Sequence, residues 1–210
     1  MKRWNYLRGI LALFISLSVF PLSANARHLI PMDKKCQQES EKGSVRCLEW
    51  RAVRILSLSG GKKDEIKKAI DLLNQAHAID PLNLSVLRNI AMCYIKMRDY
   101  KVALRYCDRA LKIKPSFVEI KLLKCMLEER IGHLERCKEC YRAVVQYYKD
   151  RHLTNDPNYV FAELMRGGPE AQRIKEDYLA SLEPGSKSYK AWTKVFNNFD
   201  RDKFFYKLLP

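Results

Sequence analysis

A repeat period of about 34 residues constrains this chain more than any other feature. The stretch Leu84 to Pro115 reads LSVLRNIAMCYIKMRDYKVALRYCDRALKIKP. Apolar or small residues fall at Leu87, Ile90, Ala91 and Tyr94, then at Leu104, Cys107, Ala110 and Leu111. That spacing makes one face of each of two helices. Arg98, Asp99 and Tyr100 form a polar break between them, and Pro115 cannot continue the second helix. One period earlier stand Val53, Leu56, Ser57, Ala69, Leu73, Ala76 and Pro81, which suit the same pattern. The same period forward places Cys125, Cys137, Tyr141 and Val144 where Ala91, Ala103, Cys107 and Ala110 stood, with Gly132 in the turn. Lys124 and Lys149 fit that register poorly, and Ile120, Leu123 and Leu127 suit a first helix slipped by one residue. A unit of this length cannot bury its apolar face alone, so such units stack on one another.

The pattern resembles the tetratricopeptide repeat at Leu87, Ile90, Ala91, Tyr94, Ala103, Ala110 and Pro115. Cys107 departs from it, standing where a large aromatic residue or Leu is usual. The resemblance covers roughly Trp50 to Asp150. It implies an all-α solenoid of about three helical hairpins, at 49–82, 83–116 and 117–150. A polar lead-in at 27–48 precedes them and a helical cap at 151–210 follows. In the first hairpin the helices are expected at Val45–Ser59 and Asp64–Ile79, with Asp64 as N-cap. In the cap, Asp156-Pro157 starts a helix that stops at Gly167-Gly168, and Pro169 opens another. Tyr189, Trp192, Phe196 and Phe199 then share one side of a last helix. That aromatic side either covers the final apolar face or binds a partner.

The first residues read as a leader. Lys2, Arg3 and Arg8 precede the apolar run Gly9 to Phe20, and Ala24-Asn25-Ala26 supplies an A-x-A cleavage site. Cleavage is expected after Ala26, giving a periplasmic or secreted protein. The apolar run is shorter than the ~20 residues that a spanning helix needs. Losing Lys2, Arg3 and Arg8 lowers the formal charge from +15 to +12, a surplus that favours acidic partners. Export argues against nucleic acid. The candidates become acidic proteins, anionic lipid headgroups, lipopolysaccharide and cell-wall polymers. All seven cysteines lie after the leader, where an oxidising compartment pairs some and an odd number leaves one over. Cys36 and Cys47 flank a flexible polar stretch outside the repeat cores and are the expected pair.

The resemblance also implies a binding surface, because repeats of this family commonly hold extended peptides on the concave face of the first helices. There the reading places Arg51, Arg54 and Leu58, then Ser85, Arg88, Asn89, Met92 and Lys96, with Lys121 from the third hairpin. Such a face is basic with apolar patches, its arginines able to clamp carboxylates and Asn89 able to pair with a backbone. It matches the carboxylate clamp of chaperone-binding members only at Arg54 and Asn89. The expected function is thus a non-catalytic, exported interaction module for an acidic protein segment, with no cofactor: an assembly factor, secretion accessory or immunity-type inhibitor. Two alternatives stay open. One is binding of anionic lipid or cell-wall polymer. The other is a thiol or metal centre, since His133, Cys137 and Cys140 share one helical face and Cys137 and Cys140 form C-x-x-C. Cys125 and Cys137 occupy places that pack together in the family, so a structural bridge between them competes with that chemistry. If the leader is processed as read, protein secreted through it has the intact mass of a chain starting at Arg27. Full-length protein recovered from the cytoplasm overturns that reading.

Overall fold

The structure is a computed structural model that describes Cys36 and residues 43–209, the side chains of 207 and 208 excepted. The leader and most of the lead-in lie outside the described residues. Among those described, the secondary structure is ten α-helices. They are α1 (Val45–Leu58), α2 (Lys63–Ile79), α3 (Leu84–Lys96), α4 (Tyr100–Ile113), α5 (Val118–Arg130), α6 (Leu134–Asp150), α7 (Pro157–Arg166), α8 (Ala171–Ala180), α9 (Lys187–Asn197) and α10 (Arg201–Leu208). None is long and apolar enough to cross a membrane. The chain divides after Pro115 into two compact units.

The first unit contains two hairpins, α1 with α2 and α3 with α4, and α2 packs on α3. Short polar side chains start most of its helices. Ser44 accepts from the Cys47 amide at 3.3 Å, Asn83 from Ser85 and Val86 at 3.1 and 3.2 Å, and Asp99 from Val102 at 3.1 Å. The exception is α2, whose N-cap is Lys62 and has no side-chain cap. Asp64, expected as that cap, lies inside the first turn instead. There its charge still complements the positive end of the helix. The paired helices close on small side chains. Ala91, Ala103 and Ala110 are fully buried in the second hairpin, as are Ala69 and Ala76 in the first. Cys107 is buried too. Tyr94 and Tyr106 stack with ring centroids 5.8 Å apart and planes 14° from parallel.

The repeat period fails in one helix. The second helices keep it, since Ala69 and Ala76 match Ala103 and Ala110. In the first helices the N-caps Ser44 and Asn83, and the buried pairs Leu48/Leu87 and Ala52/Ala91, stand five positions further apart than the period allows. Five residues are therefore inserted between Ala52 and Ala69: one lengthens α1, one lengthens the turn at Gly60 and Gly61, whose φ values of 55° and 86° let it fold back, and three lengthen the start of α2. Ala52, fully buried, takes the place that the sequence reading gave to half-buried Ser57.

The second unit holds α5 with α6, then α7 against α6, α8 against α7 and α9 against α8. Here the register is intact, with α5 and α6 starting one full period after α3 and α4. The turn residue Gly132 (φ 86°) repeats Arg98 (φ 62°). No slip of α5 occurs. Its periodicity is blurred because Ile120, Leu122, Leu123, Met126, Leu127 and even Glu128 are all buried, leaving little polar face. The chain's own C-terminus helps cover it. Arg130 Nε donates to the Leu209 carbonyl at 2.9 Å, and Arg201 Nη2 reaches Glu129 at 2.6 Å and, through Nε, the Met165 carbonyl at 2.8 Å.

Beyond α6 the segment forms a further short hairpin, α7 and α8. Asp156 caps α7 and Pro157 opens it, while Gly167 ends it in the left-handed region (φ 69°). Of the aromatic residues expected on one last helix, Tyr189, Trp192 and Phe196 lie on α9 and Phe199 lies in the turn before α10. Trp192 and Phe196 stack at 5.1 Å with Tyr178 against both, and Phe161 meets Phe199 and Phe204 at 5.8 and 4.8 Å. Trp192 and Phe196 are buried, so this aromatic set is core and not a binding stripe.

The close approach at Ala103 generates a direct prediction. Ala103→Leu overpacks the seam between α3 and α4 and costs roughly 1–3 kcal/mol, read as a lower midpoint in urea unfolding. A variant as stable as the parent contradicts this packing.

Candidate functional site

The face shared by α1 and α3 is organised by a carboxylate that the sequence reading passed over. Glu49, on α1, accepts from the Asn89 amide at 2.7 Å and from the Ser85 hydroxyl. Arg88 Nη2 in turn approaches the Ser85 hydroxyl at 3.3 Å. Asn89 is buried and its Nδ2 is committed to Glu49 within the chain. It is therefore an internal tie rather than an open backbone reader. Ser85, Asn89, Met92 and Lys96 succeed one another by four, three and four residues and form one stripe. Met92 is buried and lines it from below, while Lys96 is half-buried at its end. Burial holds the Lys96 ammonium below its usual range, with Cys93 acting weakly the other way.

Arg51 and Arg54 are not brought to this stripe. They lie two and five residues after Glu49, roughly 140–160° around the helix from it. The five-residue insertion has moved them onto the stripe of Cys47, at spacings of four and three. Arg51 is half-buried there, and exposed Arg54 rests over the Trp50 ring at 5.4 Å. On that same side Cys47 is bonded to Cys36, with their Cα atoms 5.4 Å apart. Lys121 belongs to α5 in the second unit, half-buried. The residues that share one face are thus Arg88, Asn89, Met92 and Lys96, with Ser85 and Glu49 added.

The cysteines answer the thiol reading. The bond in the second unit joins Cys125 to Cys140, with Cα atoms 5.3 Å apart, and not Cys125 to Cys137. It clips α5 to α6 and takes Cys140 out of the C-x-x-C. Cys137 is left as a buried thiol donating to the Leu134 carbonyl at 3.1 Å, and burial raises its pKa. Burial likewise pushes the Cys93 thiol up to about 12, which suppresses the reactive thiolate. His133 turns away from both cysteines, its Nδ1 2.6 Å from the Glu128 carboxylate. Among the described residues no group of three or more His, Cys, Asp or Glu side chains is arranged to hold a metal ion.

Paired all-α hairpins around small-residue seams, with a polar face on their first helices, define a helical-repeat scaffold. Residues 89–133 match the family described as the Fis1 C-terminal tetratricopeptide repeat. Over 95 residues, 45% of this chain, the sequence is 26% identical to the BBSome complex member BBS4 of Bos taurus, of which it spans 18%. Over these residues the chain is similar to tetratricopeptide-repeat proteins, and its all-α paired-helix architecture is consistent with that fold. Repeats of this kind are generally non-catalytic and act in protein–protein interaction.

The Glu49 tie can be measured. Glu49→Ala leaves the Asn89 amide buried without its acceptor, which costs about 1–3 kcal/mol. Because both residues serve one bond, Glu49→Ala with Asn89→Ala destabilises by less than the two singles combined. Strict additivity in urea unfolding shows that the bond contributes nothing.

Proposed function

We propose that this protein is an exported, non-catalytic interaction module whose first unit holds an acidic protein segment on the face shared by α1 and α3. The observation that carries the reading is Lys96. Its ammonium is half-buried beside buried Met92, and no carboxylate offsets the loss of water among the described residues. A cation in that position gains most from an anion delivered by a partner. Arg88 lies two helical turns away and brings a second positive charge to the same face, next to the Ser85 hydroxyl. Glu49 serves as the fixed anion that orients Ser85 and Asn89. Its charge disfavours a partner carboxylate at that point, so the acidic groups of the segment straddle it, toward Arg88 on one side and Lys96 on the other. Export rests on the basic and apolar leader and agrees with the two disulfides. Assembly factor, secretion accessory and immunity-type inhibitor all suit such a module.

The test uses a fluorescent peptide of alternating Glu and Gly and the full mature chain. Arg88→Glu with Lys96→Glu lowers affinity by at least ten-fold, since like charge across an interface costs several kcal/mol. Arg51→Glu with Arg54→Glu leaves affinity within about two-fold, and circular dichroism checks that both variants are folded. Equal loss from the Arg51 and Arg54 pair, or none from the Arg88 and Lys96 pair, overturns this placement.

A further inference from the structure

In the second unit the chain's own last helix sits where a partner helix could. α10 turns Arg201, Phe204 and Phe205, at i, i+3 and i+4, toward the rest of the unit, while Asp202, Lys203 and Tyr206 are exposed. Arg201 spans the last turns of α5 and α7. Its Nη2 donates to Glu129 Oε1 at 2.6 Å and its Nε to the Met165 carbonyl at 2.8 Å. Phe204 meets the buried Phe161 of α7 with ring centroids 4.8 Å apart, and Phe205 is buried. At the far end Arg130 Nε donates to the Leu209 carbonyl at 2.9 Å.

The receiving side is organised without α10. Glu129 Oε2 accepts from the hydroxyl of buried Tyr141 on α6 at 2.8 Å, which leaves Oε1 for the guanidinium. Helix C-termini concentrate negative partial charge, so Glu129 and the Met165 carbonyl together make an anionic seat for one cation. Phe161 supplies the apolar part, and Arg130 takes a backbone carbonyl whatever side chain that residue carries. α10 has eight residues, and a helix so short is not stable by itself in water. It is helical because it is docked. Among the described residues no other helix runs closely along its backbone, so side chains carry the attachment. Anchors at i, i+3 and i+4 on an element that folds as it docks are the means by which a groove holds an amphipathic helix. We propose that this face of α5 and α7 is a docking site for a partner helix carrying a guanidinium followed one turn later by two aromatic side chains, and that α10 fills it in cis until such a helix displaces it. Charge decides the occupant: the Glu129 carboxylate and the Met165 carbonyl receive a cation, so the partner helix is basic and aromatic. The site lies wholly in the second unit and is independent of the α1 and α3 face.

The experiment follows the fluorescence anisotropy of a labelled peptide with the sequence of residues 200–209, titrated with the full mature chain. The parent binds it weakly, because its own helix competes at high effective concentration. Arg201→Glu/Phe204→Ser in the protein unseats α10 and tightens peptide binding at least ten-fold, as more of the site is free. Glu in place of the peptide's Arg lowers that affinity at least ten-fold, since it meets the Glu129 carboxylate. Hydrogen–deuterium exchange reads displacement in the parent itself: excess peptide speeds exchange of the amides of 201–208 while those of α5 stay protected. Absence of peptide binding to the folded variant, equal affinity for parent and variant, or exchange of 201–208 unmoved by excess peptide overturns the proposal. A parent that sediments as a dimer, with the dimer lost in Arg201→Glu/Phe204→Ser, also overturns it and assigns the site to α10 of a second copy.

Discussion

Helix approach at small side chains sets the geometry on which the other features rest. Where Ala91, Ala103 and Ala110 are fully buried, the backbones of α3 and α4 come close enough for Tyr94 and Tyr106 to stack across them. The same seam in the first hairpin uses Ala52, Ala69 and Ala76. In the second unit the corresponding places are Cys125, Cys137 and Val144, larger but equally buried. Close-packed interiors tolerate few voids, so each hairpin fixes which residues face its partner helix and, by elimination, which face outward. The polar face of α1 and α3 is a by-product of those seams.

Between the first helices of the first unit, side-chain hydrogen bonding takes over from packing. Glu49, Ser85 and Asn89 join α1 to α3 through one carboxylate. A half-buried carboxylate with two donors is satisfied, whereas the Lys96 ammonium on the same stripe has burial with no offsetting carboxylate among the described residues. That asymmetry gives the face a direction. One end is closed by internal bonds, and the other carries the half-buried Lys96.

The second unit handles the same hairpin differently. Its first helix, α5, is buried on nearly every side, and Arg130 and Glu129 bind the chain's own C-terminal segment through Leu209 and Arg201. The Cys125–Cys140 bond cross-links the pair where the small residues of the seam are replaced by thiols. Restricting the unfolded chain in this way stabilises a hairpin by roughly 2–4 kcal/mol. At this end of the second unit the polar contacts are made within the chain.

The sequence by itself determined the all-α repeat class, because Leu87, Ile90, Ala91, Tyr94, Ala103 and Ala110 carry a helical period within the longer repeat period, and local pattern suffices for both. It also placed Asp156, Pro157 and Gly167 at the ends of α7, since capping depends on adjacent residues. Tertiary structure alone decided the rest. An insertion of five residues between Ala52 and Ala69 leaves the helical pattern of α1 readable but rotates its assignment, so Arg51 and Arg54 moved to the Cys47 side. No local signal marks Glu49 as the partner of Asn89, forty positions away in the chain. Cysteine pairing depended on which residue of α6 turns toward α5, and one helical turn separates Cys137 from Cys140. Periodicity names a face only once the register is known, and register is set by what packs against it.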